Sequence, residues 1–174
     1  MSTKKQSLAL VKTLIEINIT IENLESLKTK KGNTQIAERI YIQLIKDIFD
    51  KNNITYEEAP SQQSKDFRNI NNTGLNLEFK KTDTLTVYFN DTCPNEDIEY
   101  CILFTGNKKY KPQIIFINGE KIVNTSKPWI DEYTREINLL KNKYCRGENK
   151  KNLSGIMEVY TRPTYKANIS TLLL

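Results

Sequence analysis

The sequence predicts an α/β chain of the α+β type, a mixed central sheet flanked by helices. Two segments near the N-terminus and one near the C-terminus repeat apolar residues at helical spacing. The middle of the chain carries short runs that alternate apolar with polar residues or are continuously apolar, which is strand patterning. Asn71-Asn72-Thr73-Gly74 and Asn118-Gly119 punctuate those runs as turn signals. With 174 residues the chain is long enough for one domain with a real core. We expect a single domain, in which 1–33 form an N-terminal helix and basic loop, 34–124 the central core, and 125–174 a C-terminal helix, basic segment and strand.

Leu10, Leu14, Ile17, Ile21 and Leu24 predict a first helix over about 6–27, and Lys30, Lys31 and Gly32 a basic loop. Asn33 or Thr34 can cap a second helix whose buried stripe would be Ile36, Ile40, Leu44 and Ile48. Part of the first stripe could instead face a second subunit. Ile54–Ala59 reads as a strand ended by Pro60, and Asp66–Ile70 as the next. Leu75-Asn76-Leu77-Glu78-Phe79-Lys80 alternates strictly, so Leu75, Leu77 and Phe79 share one face and Asn76, Glu78 and Lys80 the other. Thr84–Asn90 alternates again, and Tyr100–Phe104 is apolar enough to be buried on both faces. Gln113–Ile117 and Lys121–Val123 flank Asn118-Gly119 and predict a hairpin. Ser126 or Lys127, with Pro128 behind it, opens a third helix with a stripe of Ile130, Tyr133, Ile137, Leu140 and Tyr144. Ile156–Tyr160 predicts a last strand.

Composition narrows the function. The chain carries a net charge of +5, which favours a polyanionic partner such as nucleic acid. Its three cysteines, Cys93, Cys101 and Cys145, are odd in number and unpaired by C-x-x-C spacing, so neither a disulfide framework nor a zinc ribbon is expected. No apolar run approaches the roughly 20 residues of a membrane span, and the N-terminus does not read as a signal peptide; a cytoplasmic protein is expected. Histidine is absent from the sequence, which removes Ser-His-Asp and Cys-His catalysis and His-ligated metals. An enzyme built this way leans on carboxylates, lysine and a hard metal ion held by oxygen. The motifs G-x-x-x-x-G-K-[ST] and G-x-G-x-x-G are absent as well.

One cluster answers that description. A three-residue loop, Asn72-Thr73-Gly74 with Gly74 left-handed, would pair Asn71 with Leu75 and so set Asp66 opposite Lys80 and Arg68 opposite Glu78. Asp66, Glu78 and Lys80 would then converge on one patch. Two carboxylates can ligate Mg²⁺, which polarises a phosphate and acidifies a water, while the lysine orients that water and offsets transition-state charge. A structural charge ladder is the alternative reading of Glu78 and Lys80. Glu57 and Glu58 are possible auxiliary acids.

Asp66 followed by Glu78-Phe79-Lys80 resembles the D…E-x-K signature of the PD-(D/E)XK nucleases. The element order is also similar: helix, three meandering antiparallel strands, further strands, a helix and a late strand. Over 54–160 the chain resembles more narrowly the small orthodox type II restriction endonucleases, and in size those that cut GCNGC. It departs from them in lacking a proline before Asp66, where Ser64-Lys65 stands, and in placing a strand at 84–90 where relatives often have a helix. The resemblance implies a restriction-endonuclease-like fold and a homodimer that uses Mg²⁺ to cut both strands of double-stranded DNA at a short palindrome, paired with a cognate DNA methyltransferase. Candidates to reach base edges are Lys81, Asp83, Asn90, Asp91, Thr92, Arg146, Asn149 and Asn152. Lys143, Lys150, Lys151 and Lys166 are candidates for phosphate contacts. A junction resolvase or repair nuclease of the same fold, and a non-catalytic basic DNA-binding domain, are the alternatives.

Overall fold

The computed structural model describes residues 3–29, 34–58, 66–90, 93–145 and 164–173. The expected strand at 156–160 lies outside them. Where one long N-terminal helix is expected there are two, α1 (Lys4–Asn18) and α2 (Ile21–Ser26). Each opens on a capping box, Thr3 with Gln6 and Thr20 with Asn23. Ile19 turns extended between them and is buried, so the break costs no apolar contact. After α3 (Thr34–Lys51) come β1 (Glu57–Glu58), β2 (Phe67–Ile70), β3 (Leu75–Thr82), β4 (Thr86–Asn90), β5 (Glu99–Phe104) and β6 (Gln113–Asn118). The chain continues with α4 (Gly119–Val123), α5 (Lys127–Tyr144) and β7 (Thr164–Asn168).

Five strands form a mixed sheet in the order β1-β2-β3-β5-β6. β1, β2 and β3 meander antiparallel, β5 runs parallel to β3, and β6 returns antiparallel to β5. Because β3 and β5 are parallel, a crossover must join them, and β4 lies within it. β4 leaves the main sheet and pairs with β7 in a two-stranded sheet of its own.

The strands sort their side chains onto two faces. Phe67, Leu75, Leu77, Phe79, Cys101 and Leu103 meet Val11, Ile15, Tyr41, Ile45 and Phe49 of the helices. On the opposite face Tyr100, Ile102, Phe104 and Ile115 meet Val87, Phe89 and Ile169 of the β4–β7 layer. The helical phase differs from expectation by one position. α3 buries Ala37, Tyr41, Ile45, Ile48 and Phe49, while Ile36 and Ile40 are about half exposed. In α1 the inward row is Val11 and Ile15, and Leu10 and Ile17 point to solvent. α5 starts at the expected place with Pro128 in its first turn, but buries none of its stripe fully.

The Asn118-Gly119 hairpin is not formed. Asn118 instead caps α4, its side chain accepting from the Glu120 amide at 2.9 Å. Gly119 fits against the 95–98 segment so closely that a β-carbon there would lie 1.8 Å from the Asn95 carbonyl oxygen.

Candidate active site

The hairpin β2–β3 positions the cluster, and its register arrives by an unexpected route. Ile70 faces Leu75 instead of Asn76, one residue off the expected pairing, because the connection is the four-residue turn Asn71–Gly74. A bulge between Phe67 and Ile70 adds a second slip, so Phe67 faces Leu77 instead of Phe79. Side chains alternate with a period of two, so two single slips restore the expected faces. Asn69 takes up the bulge with φ of 46°, and Asn71, Asn72 and Gly74 also have positive φ. The Asn69 side chain accepts from the Gly74 amide at 3.1 Å, which fixes the turn.

Past the Phe67–Leu77 pair, β2 has ended and β3 continues. There Asp66 lends its side chain to the ladder. Its Oδ2 accepts the Phe79 amide at 2.6 Å, standing where a strand carbonyl would otherwise be. The expected Asp66–Lys80 opposition is therefore replaced by a carboxylate lodged against the backbone between Glu78 and Lys80. Burial pushes the Asp66 carboxyl up to about 6, with the charges of Glu78 and Glu38 adding to it and the Phe79 amide and Lys80 opposing it.

Glu78 points to the face covered by β4 and β7 and is 4% exposed. Its Oε1 pairs with Lys80 Nζ at 2.5 Å. Its Oε2 is buried and, among the described residues, has no hydrogen-bond partner. A buried carboxylate oxygen left in this state is costly and calls for a cation or a strong donor. Lys80 lies over the Phe89 ring, 5.7 Å from its centroid, so β4 sets the direction of the ammonium.

The helical layer supplies two neighbours that the sequence reading missed. Burial first, and then the charges of Asp66, Glu38 and Glu78, raise the Tyr41 hydroxyl well above its ordinary range. Glu38 and Tyr41 stand three residues apart on α3. A stripe read as 37, 41, 45 and 48 would have placed this pair beside the sheet.

The other candidates fall elsewhere. Glu57 accepts from Asn69 Nδ2 at 2.8 Å, and Glu58 pairs with Lys46 at 2.8 Å, both on the edge strand. Lys81 and Asp83 bond each other at 2.9 Å, and Lys81 also reaches the Thr29 hydroxyl. Asp83 further accepts from the Thr29 amide at 3.2 Å and the Thr105 hydroxyl at 2.6 Å. Burial alone would raise the Asp83 carboxyl, but its bonds from Thr105, Lys81 and Thr29 hold it below the ordinary range. This pair ties the end of α2 to the end of β3. Asn90 is exposed at the end of β4, and Lys166 projects from β7 over the exposed Tyr88 ring, 5.7 Å from its centroid. Lys143 is exposed in the last turn of α5. Asp91, Thr92, Arg146, Asn149, Lys150, Lys151 and Asn152 lie outside the described residues.

Comparison with family models, curated proteins and solved structures finds no match. Among the described residues no helix is long and apolar enough to cross a membrane.

Two carboxylates and a lysine on one strand pair can do hydrolytic chemistry on an anionic ester if a cation joins them. The donor set fits Mg²⁺. It consists of hard oxygens, among them the buried Glu78 Oε2, unpartnered among the described residues, and the buried carboxylate of Asp66, held by the Phe79 amide. Among the described residues no group of three or more acids, cysteines or histidines is assembled. Mg²⁺ asks for one or two carboxylates and fills its remaining positions with water and substrate phosphate.

Proposed function

We propose that the chain is a Mg²⁺-dependent type II restriction endonuclease that hydrolyses phosphodiester bonds in double-stranded DNA at a short specific site, acting as a homodimer. The observation that carries this reading is the orphaned Glu78 Oε2 beside Lys80, with Asp66 bonded to the amide between them. A charge ladder accounts for Oε1 of Glu78 but gives the buried Oε2 no role. Asp66 and Glu78 would hold the metal, which when bound polarises the phosphate and lowers the pKa of a water.

The protein's own groups do the rest. The Phe79 amide fixes the Asp66 carboxylate, so it is set before substrate arrives. Lys80, steered by Glu78 and Phe89, offers its ammonium to the attacking water and to the charge that builds on the phosphorus oxygens. Lys166 and Lys143 provide exposed positive charge for phosphates. The order of helix, antiparallel meander, further strands, helix and late strand is the one the nuclease resemblance implies, and it supports the same reading.

The test is digestion of phage and supercoiled plasmid DNA with and without Mg²⁺, followed by sequencing of the ends. Discrete Mg²⁺-dependent bands are expected. Cutting of branched or damaged DNA alone would point to a resolvase or repair nuclease instead. Lys80→Ala should retain DNA binding and lose cleavage by about 10²–10³-fold or more. Unchanged cleavage by that variant would refute the role of Lys80.

A further inference from the structure

We propose that the outward face of α3, centred on Gln43, is a self-association surface on which a second copy of this chain packs, helix against helix and antiparallel. This deepens the functional reading above, which calls for two copies on a two-fold DNA site; the test is read without DNA or metal, so either can fail alone.

α3 has two apolar stripes where an amphipathic helix needs one. Ala37, Tyr41, Ile45, Ile48 and Phe49 cover the sheet. Ile36 and Ile40, 49% and 52% exposed, form a row that flanks this face, and Leu44 continues it inward to pack against the core. Together with Arg39, Gln43 and Asp47 they line a shallow groove of about 650 Å³ built from α3 alone. α1 likewise exposes Leu10 and Ile17. Exposed apolar side chains gathered in one row and rimmed by polar residues, as on α3, suit an interface.

The charges on this face select the occupant. Arg39 and Asp47 stand four residues to either side of Gln43. A two-fold axis beside Gln43 brings Arg39 of each copy opposite Asp47 of the other, so one patch supplies both halves of two ion pairs. Among the described residues Arg39 forms no salt bridge, so its charge is available to a partner. Gln43 donates to Asp47 Oδ1 at 2.8 Å, which holds that carboxylate on the same face. One cation and one anion flanking an apolar strip suit neither a phosphate backbone nor an anionic membrane, and they suit a copy of themselves.

Sedimentation of the full chain in EDTA over roughly 1–100 µM should give a dimer. Ile40→Glu should weaken it about 100-fold, since the substitution enters the interface twice, once from each copy. Arg39→Asp and Asp47→Arg should each weaken it about tenfold or more, and the double variant R39D/D47R, which reverses both pairs, should recover most of that loss. Circular dichroism melts check folding, and the charge series keeps its meaning if Ile40→Glu proves unstable. A wild-type monomer throughout overturns the proposal. So does a dimer indifferent to Ile40→Glu, or a double variant no better than either single one.

Discussion

Asp66→Asn removes a charge that the fold holds at a loss, and the loss can be worked out. The carboxyl titrates near 3.8 when free and near about 6 when folded, mainly because it is buried and secondarily because Glu78 faces it. Between those values the folded chain keeps a proton that the unfolded chain has released, so stability falls as pH rises through the window. Above it the full cost, about 3 kcal/mol from a gap of roughly two pKa units, is present; below about 3.8 it vanishes. Asparagine is neutral throughout and can still accept the Phe79 amide. Urea unfolding in EDTA should therefore find Asp66→Asn more stable than wild type by up to about 3 kcal/mol at pH 8, and by about 1 kcal/mol at pH 4.5. A gain of stability together with lost cleavage is the trade expected of a group kept for chemistry. If the variant is no more stable at pH 8, or its advantage does not shrink at pH 4.5, the reasoning from burial and like charge is wrong.

Two further outcomes test the scaffold. Asp83→Ala should destabilise the protein by about 2 kcal/mol in urea titration, because it strands the nearly buried Lys81 ammonium and frees the Thr29 tether. Gly119→Ala should cost several kcal/mol or prevent folding, read as a lowered melting temperature, since its β-carbon would meet the Asn95 carbonyl at 1.8 Å.

Strict alternation made β3 legible from sequence, because Leu75, Leu77 and Phe79 are held on one face by geometry alone. The same logic misled for α3. Rows at 36, 40, 44 and at 37, 41, 45 are both apolar, and periodicity does not say which one the sheet will take. That ambiguity hid Glu38 and Tyr41, which belong to the second row's side. Asn118-Gly119 carries a hairpin signal, yet tertiary packing against Asn95 decides its conformation. The parallel pairing of β3 with β5 depends on a crossover whose path no local pattern records. For Asp66 the expected pairing with Lys80 does not form, since a turn slip and a bulge slip together set Phe67 opposite Leu77 and the Asp66 side chain takes the Phe79 amide.

α3 brings several demands onto one rod about 27 Å long. One side fills the core, the end near Glu38 and Tyr41 borders the acidic cluster, and the remaining side carries the apolar groove. Few of its 18 positions are left to vary freely. In a saturation library this helix should read as the most intolerant surface element of the chain. Its intolerance would divide by readout, with Ile45 and Phe49 affecting abundance, Glu38 and Tyr41 affecting activity, and Ile36 and Ile40 affecting neither until the chain is dilute.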